Sequence, residues 1–214
     1  MPIKESTTKE KILAGIRNAL ISKKENPFKD VNFDQPVFHD LEDEKEVVFA
    51  SKLLDNSGKF VYCETVQNGL DILKMLIKEK GWNSIFTVDE ELMELFREGE
   101  VPFDSDPDHF IDQQAGATRC EFLIARFGSV MVSSALNSGR RMFVYPETHI
   151  VFAKASQVVE EVKDALAGIK KKYENLPSQI TVITGPSRTA DIEKTLVMGA
   201  HGPKELYVFF VDDL

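Results

Sequence analysis

From Leu41 onward, short apolar runs alternate with segments whose apolar residues recur at helical spacing. Lys59–Cys63 and Ser84–Val88 have the length of strands, and the segment between them, capped by Thr65 and closed by Gly81, has the period of a helix. Asp89 is predicted to cap another helix, which runs through Phe96. Strands that are joined by helices usually pair side by side in the same direction. The pattern therefore predicts the α/β class, with a mostly parallel sheet flanked by helices.

The rest of the chain divides into an N-terminal segment and a continuation of this pattern. Ser6–Thr8 and Glu10 form a capping box that predicts a helix start, and a polar stretch with scattered phenylalanines follows. We assign residues 1–40 to an N-terminal helix and extended arm, whose aromatic residues suit docking on a second subunit and so fit a homo-oligomer. Residues 41–214 are assigned to one α/β domain. Gln157–Tyr173 is predicted as one long amphipathic helix. Further strands are predicted at Phe122–Ala125, Val130–Val132, Met142–Tyr145, His149–Ala153, Ile180–Ile183 and Leu206–Val211.

Charge and cysteine content argue against several partners and cofactors. Lys and Arg number 26 against 35 Asp and Glu, a net charge of -9, which argues against nucleic acid or an anionic membrane surface as the main partner. A small local basic pocket is still compatible with this balance. Two cysteines, Cys63 and Cys120, cannot hold an iron–sulfur cluster or a structural zinc ion unaided, and the four histidines lack metal-ligand spacing. We find neither a signal peptide nor a run of roughly 20 apolar residues, and we expect a cytoplasmic protein without a membrane span.

The main candidate for chemistry is the turn after the predicted strand Ile180–Ile183. Gly185 permits close approach of a ligand to the backbone, and Arg188 offers a fork of donors to a carboxylate or phosphate. In open α/β sheets, ligands bind beyond the carboxyl ends of the strands, where this turn is expected to lie. The alternative is an ordinary tight turn in which a hydroxyl caps a helix and Arg188 pairs with Asp191. The candidate anion-binding residues are Gly185, Pro186, Ser187, Arg188, Thr189 and Asp191.

Three residues are candidates for acid–base or nucleophilic chemistry. His201, beside Gly202 in a turn before the last predicted strand, has a side chain suited to proton transfer near neutral pH, although a lone histidine is more often structural. Glu121 is predicted either as a buried carboxylate or as an ordinary surface acid. Glu193 follows the candidate anion-binding turn.

A further polar group is interpreted in two ways. It could form a second wall around the same anion, or it could be a strand–turn–strand segment with solvated arginines. Its candidate binding residues are Gly128, Ser129, Asn137 and Arg140.

The C-terminal motifs Thr184–Glu193 and Gly199–Leu206 closely resemble the signature of the LUD domain, found in the lactate-utilisation protein C family. The resemblance implies a fold similar to the group of ribose-5-phosphate isomerase, glucosamine-6-phosphate deaminase and the CoA-transferases. The chain departs from the family pattern at Phe127, where many members carry threonine, so that an aromatic ring replaces a hydroxyl. Other segments that share the resemblance are Ile16 to Leu20, Ala125–Ser134, Arg140 and Pro146–Ile150.

The resemblance also implies a role in oxidising L-lactate to pyruvate, within a three-protein system whose other members carry iron–sulfur clusters. This chain, with two cysteines, resembles the member without clusters. Its expected partners are a small anionic metabolite and the iron–sulfur subunits, and no cofactor is expected in the chain itself. Two alternatives stay open. One is a standalone isomerase- or transferase-like enzyme or binding module for a phosphorylated or CoA-linked molecule, with Glu121 or Glu193 as base or nucleophile. The other is a scaffold subunit.

Overall fold

The computed structural model describes residues 7–21, 28–32, 38–189 and 197–214. The chain divides into two compact units, Met1–His39 and Asp40–Leu214. The first unit contains helix α1 (Thr8–Ile21). Its predicted capping box is confirmed at Thr7 and Glu10, because Thr7 N donates to Glu10 Oε2 at 2.7 Å and Glu10 N donates to Thr7 Oγ1 at 3.3 Å. Much of the predicted arm, residues 22–27 and 33–37, lies outside the described residues.

The second unit alternates strands with helices in its first half and becomes strand-rich in its second. Its helices are α2 (Lys45–Asp55), α3 (Val66–Lys80), α4 (Glu90–Glu98) and α5 (Val162–Lys172). Its strands are β1 (Lys59–Cys63), β2 (Ile85–Phe86), β3 (Phe103–Asp104), β4 (Ala115–Arg119), β5 (Phe122–Ile124), β6 (Ser129–Ser133), β7 (Thr148–Lys154), β8 (Val158–Val159), β9 (Ile180–Ile183), β10 (Arg188–Thr189), β11 (Val197–Met198) and β12 (Glu205–Val211). Short 3-10 helices lie at Pro107–Asp112, Ala125–Phe127, Arg140–Phe143 and Ala155–Gln157.

The largest sheet has six strands in the order β1-β12-β7-β4-β2-β3. Every neighbouring pair in it is parallel. The prediction of a mostly parallel sheet flanked by helices is therefore confirmed. Because the strands run the same way, their carboxyl ends, from Cys63 of β1 to Arg119 of β4, meet at one edge of the sheet.

Each face of this sheet is covered by an apolar layer. On one face, α3 and α4 contribute Leu70, Leu73 and Phe96, which pack against Ile150 and Phe209 of the sheet. The opposite face packs against α2 and a second sheet, through buried residues that include Phe49, Leu53, Val130, Val151 and Val208. No helix in the described ranges is long and apolar enough to cross a membrane.

The predicted caps at Thr65 and Asp89 and the predicted end of α3 at Gly81 are confirmed, whereas α4 continues to Glu98, beyond its predicted end at Phe96. The Thr65 side chain accepts from Asn68 N at 3.1 Å, and Gly81 ends α3 in the left-handed region with φ 69°. At α4, the Asp89 side chain accepts from Leu92 N at 3.4 Å. These positions depend on local hydrogen bonding, which is why the sequence alone locates them.

The second sheet was not predicted. Its order is β8-β5-β6-β9, and β6 pairs antiparallel with both β5 and β9. The strands at Val130–Val132 and Ile180–Ile183 form as expected, but outside the parallel sheet. Strand periodicity does not specify the partner of a strand, since a short apolar run suits either sheet.

Two element assignments were wrong. Met142–Tyr145, predicted as a strand, lies at the 3-10 helix Arg140–Phe143, which buries Met142 and Phe143 from a single turn. Gln157–Tyr173, predicted as one helix, contains strand β8, which pairs in parallel with β5, and its α-helix is confined to Val162–Lys172. The β-branched pair Val158 and Val159 fits an extended chain.

Glu205, Lys59 and Lys80 form a cluster of charged side chains at the amino edge of the parallel sheet. Glu205, at the start of β12, accepts from Lys59 Nζ at 2.6 Å, from Lys80 Nζ at 2.7 Å and from Thr148 Oγ1 at 3.3 Å. Burial acts to raise the pKa of the Glu205 carboxyl, but the hydrogen bonds from the two lysines outweigh it, and its pKa is lowered. The cluster therefore connects β1, β7, β12 and the end of α3.

Replacing Glu205 with glutamine is expected to lower the free energy of unfolding by about 1 to 2 kcal/mol at pH 7, because two charge-assisted hydrogen bonds are lost. A carboxyl whose pKa is lowered by folding stabilises the protein above its ordinary value of 4.5 and loses that contribution as the pH falls through the folded-state pKa. Urea unfolding should therefore show a full difference at pH 7 that shrinks below pH 4.5. Glu79→Gln, an exposed carboxyl on α3, is the control, and a difference that does not change with pH would contradict the assignment.

Candidate functional site

The turn predicted to bind an anion lies at the amino edge of the parallel sheet. It follows β9, which belongs to the second sheet, so the expectation that it extends from a carboxyl end of the parallel sheet was wrong. Ser187 N donates to Pro203 O at 2.8 Å, and Gly199 N donates to Ser187 O at 2.9 Å. These bonds hold the turn against the segment 199–203, which leads into β12. The structure therefore brings the two C-terminal motifs together, but at the opposite edge from that expected.

A polar depression of about 400 Å³ lies beside this junction. His201 and Gly202 line it together with Tyr145, Glu147 and Lys204, and Lys204 Nζ lies 2.8 Å from Glu147 Oε1. His201 and Arg188 are exposed, and Arg188 lies in the short strand β10. Two further predicted site residues, Asp191 and Glu193, lie outside the described residues.

Gly128 and Gly185 lie where the end of α2 meets the turns after Phe127 and after β9. Gly128 has φ 59°, and a Cβ atom there would lie 2.2 Å from Leu53 N. Gly185 has φ 81°, and a Cβ atom there would lie 2.2 Å from Asn56 O. Ser129 Oγ lies 2.8 Å from Thr184 Oγ1 and joins the two turns. Close backbone packing accounts for both glycines without a ligand.

Asn137 and Arg140 are exposed, and neither is among the residues described as lining the depression at His201. Arg140 Nη2 donates to Ser178 Oγ at 2.5 Å, which links the segment after β6 to the approach to β9. The predicted second wall therefore does not form around Arg188 in the described part of the chain.

Glu121 is buried, as one of the two alternatives predicted. Its carboxylate accepts from Ser133 Oγ at 2.6 Å, Lys172 Nζ at 2.7 Å and Tyr173 OH at 2.8 Å. Burial acts to lower the pKa of Lys172, but the hydrogen bond and the charge of Glu121, together with Tyr173, outweigh it, and the pKa is raised. Glu121 therefore holds a charged ammonium group beside a larger opening.

That opening is a cleft of about 430 Å³ at the carboxyl edge of the parallel sheet. Its floor is formed by the ends of three parallel strands, β4, β7 and β12. The α4 residues Leu92 and Leu95 line the cleft, and Leu136 and Lys172 belong to the same lining. This is the edge at which ligands bind in open α/β sheets.

Arg119, at the end of β4, is the cation held most firmly in the cleft. Its Nε donates to Asp89 Oδ1 at 3.0 Å and to Oδ2 at 2.9 Å, and its Nη1 forms an ion pair with Glu91. Burial acts to lower the pKa of the guanidinium, but these carboxylates outweigh it and raise the pKa. The two carboxylates contact Nε and Nη1 of Arg119 and fix the orientation of the guanidinium. In the described contacts, the N–H groups of Nη2 remain able to donate to a ligand.

Gln157 and Cys120 complete the same side of the cleft. Gln157 Nε2 donates to Cys120 O at 2.8 Å and its Oε1 accepts from Lys154 N at 2.8 Å, so the amide joins the ends of β4 and β7. Burial raises the pKa of the Cys120 thiol to about 12. Cys120 is therefore protonated near neutral pH and is a poor nucleophile.

The site residues predicted from the sequence did not include Arg119, Lys154, Gln157 or Lys172. Arg119 ends the segment Ala115–Arg119, whose small residues do not form an apolar run, and no local pattern identifies it as a strand end. The other three are polar residues at the ends of a strand, a 3-10 helix and a helix, where such residues are common.

The buried histidine His149 is a poor candidate for proton transfer. Its Nε2 lies 2.8 Å from Thr118 Oγ1, and its Nδ1 is buried without a hydrogen-bond partner. Burial lowers its pKa to about 4, so it is neutral near pH 7. Across the described residues, no group of three or more His, Cys, Asp or Glu is placed to hold a metal ion.

A parallel sheet flanked by helices, with an open cleft at its carboxyl edge, defines an α/β protein. The family model of the LUD domain matches residues 47–211, and the chain belongs to the LUD-domain family. The resemblance seen in the C-terminal motifs is thereby confirmed.

Two relatives and one solved structure are similar to this chain. Lactate utilization protein C 1 of Bacillus mycoides is 31% identical over 169 residues, covering 70% of this chain and 71% of the relative. Lactate utilization protein C of Bacillus licheniformis is 38% identical over 101 residues, covering 46% of this chain and 42% of the relative. The chain thus spans less than half the length of the latter relative. The crystal structure of a DUF162 family protein from Deinococcus radiodurans has a TM-score of 0.56 at 17% identity, over 78% of this chain and 96% of that one, and supports the fold.

Proposed function

We propose that this chain acts in lactate utilisation as a subunit without iron–sulfur clusters, and that it binds a small organic acid in the carboxyl-edge cleft. The observation that carries the proposal is the preorganised Arg119, held by Asp89 and Glu91 at the edge where α/β sheets bind ligands. The names of its relatives, lactate utilization protein C, support the choice of acid.

The cleft offers suitable groups for a carboxylate. Arg119 Nη2 can donate to a carboxylate oxygen, and the ammonium groups of Lys154 and Lys172 provide positive charge along the same cleft. Glu121 keeps Lys172 charged and fixed. These residues are proposed to bind and orient the acid.

Oxidation of lactate to pyruvate removes two electrons and two protons, which an acceptor must receive. In this proposal the acceptor belongs to iron–sulfur partner subunits. Cys63 and Cys120, the cysteines of this chain, are both buried and unpaired. The proposal therefore expects binding by the isolated chain and turnover only when partners are present.

The binding test compares Lys154→Gln with Lys170→Gln, an exposed cation on α5 outside the cleft lining. Loss of a charge-assisted contact should weaken binding of lactate or pyruvate about tenfold in K154Q and leave the control unchanged, as measured by isothermal titration calorimetry. Equal affinities of wild type and K154Q, with saturable binding in both, would remove Lys154 from the site.

The Arg188→Ala variant shows whether the acid binds in the cleft or at the turn that was predicted from the sequence. If an acid binds at the amino edge, through Ser187, Thr189 and His201, only the Arg188→Ala variant should lose affinity. If it binds in the cleft, this variant should titrate like wild type. The second candidate function is that of an enzyme or binding module for a phosphorylated or CoA-linked molecule. The cleft volume of about 430 Å³ favours it, because this volume lies within the range of sites for larger ligands. The same titration with sugar phosphates and CoA thioesters tests it.

A further inference from the structure

The carboxyl-edge cleft is larger than a three-carbon acid requires. At about 430 Å³ it falls within the range of sites that enclose molecules of drug size. Lactate bound at Arg119 would leave much of this space to water. Since the lining is mainly apolar, with Leu92, Leu95 and Leu136 among its residues, that space suits a hydrocarbon group.

The sheet order gives the cleft a direction. Arg119 ends β4, Val211 ends β12, and β7 lies between the two strands. Two strand spacings separate them, a distance of about 10 Å. Val66, the first residue of α3, lines the same cleft and follows β1, the strand on the far side of β12. Val66 and Val211 therefore lie at the end of the cleft away from Arg119, with the end of β7 between them and Arg119.

The register places these side chains on one face of the sheet. Phe152 of β7 pairs with Arg119 of β4 on one side and with Phe209 of β12 on the other. Two residues further along β7 and β12, Lys154 pairs with Val211. Phe152, Phe209 and Val211 belong to the apolar layer beneath α3 and α4. A ligand held by Arg119 can therefore extend across Phe152 toward Val211 without crossing the sheet.

We infer that the cleft binds 2-hydroxy or 2-oxo acids whose apolar side chain is longer than the methyl group of lactate, with the carboxylate at Arg119 and the chain directed toward Val211 and Val66. The inference rests on the proposed function, since it assigns the ligand class of the same site. Lactate, with its shorter side chain, then binds with lower affinity than these acids.

Calorimetric titration of the full chain with lactate, 2-hydroxybutanoate and 2-hydroxyhexanoate tests this inference. Burial of each added methylene should tighten binding about fourfold. 2-Hydroxyhexanoate, which is longer than lactate by about three methylenes, should therefore bind roughly 60-fold more tightly than lactate. Val66→Asp places a carboxylate at the apolar end, at a helix N-terminus where an acid favours folding. This variant should lose most of the dependence of affinity on chain length.

Gln67→Asp, which adds the same charge at the next position of α3 outside the cleft lining, is the matched control and should retain the full dependence. Equal affinity for all three acids in the wild type would overturn the inference and leave the proposed function standing. A folded protein that binds none of them would overturn the proposed function as well. Loss of chain-length dependence in both variants would show that the apolar end is not at Val66.

Discussion

Replacing Arg119 with alanine is expected to lower the free energy of unfolding by about 3 to 5 kcal/mol, because it leaves a buried carboxylate without its partner. Asp89 is fully buried and holds the Arg119 Nε through both of its oxygens, at 3.0 and 2.9 Å. Removing the guanidinium leaves Asp89 with weaker donors, the Leu92 amide and the Ser138 hydroxyl, each at 3.4 Å. Urea unfolding followed by circular dichroism measures the loss.

The double variant Arg119→Ala/Asp89→Asn separates the charge effect from lost packing. Asparagine retains a side-chain oxygen to cap α4 but carries no charge, so the double variant should recover much of the loss. Arg140→Ala, at an exposed arginine with one hydrogen bond to Ser178, is the control for removing an arginine and should have a small effect. If Arg119→Ala were as mild as this control, the pair would not hold α4 to the sheet as the geometry indicates.

Gly128→Ala is expected to destabilise the protein by about 2 to 5 kcal/mol, through backbone strain and a steric clash that add together. Its φ of 59° disfavours alanine, and the added Cβ would lie 2.2 Å from Leu53 N and 2.3 Å from Lys52 C. Both contacts are backbone atoms of α2, so neither can be relieved by a change of side-chain rotamer. The thermal midpoint and the urea midpoint should both fall.

Gly81→Ala is the matched control for this substitution. Gly81 has a similar φ of 69°, but no atom lies within 4 Å of an added Cβ, so only the backbone term of about 1 to 2 kcal/mol is expected. The difference between the two variants measures the packing of the Phe127–Ser129 turn on α2. Equal losses would mean that α2 moves aside easily and that the close approach has little energetic weight.

These two predictions concern residues that sequence analysis treated differently. Gly128 was selected as a ligand-binding candidate because it belongs to a polar group that could form a second wall around the anion, whereas the structure accounts for it by contact with α2. Arg119 was not selected, since a single arginine after small residues has no distinguishing pattern. A glycine required for close packing and a glycine required for a ligand look the same in one sequence, because the neighbouring backbone is distant in the chain.

What the sequence determined by itself is local or carried by motifs. The capping box at Thr7 and Glu10, the cap at Thr65, the end of α3 at Gly81 and the strand at Lys59–Cys63 depend on neighbours within a few residues. The α/β class follows from the alternation of these elements, and the family follows from two C-terminal motifs that are confirmed over residues 47–211.

The tertiary structure alone decided where those elements meet. Because β9 pairs with β6 in the second sheet, the turn at Ser187 and Arg188 lies away from the carboxyl edge of the parallel sheet. Because β4, β7 and β12 are neighbours in the parallel sheet, their ends form a cleft beside Arg119. Strand order and sheet membership depend on contacts between residues far apart in the chain. Local periodicity carries no information about such contacts, so the site could be located only after the strands were paired.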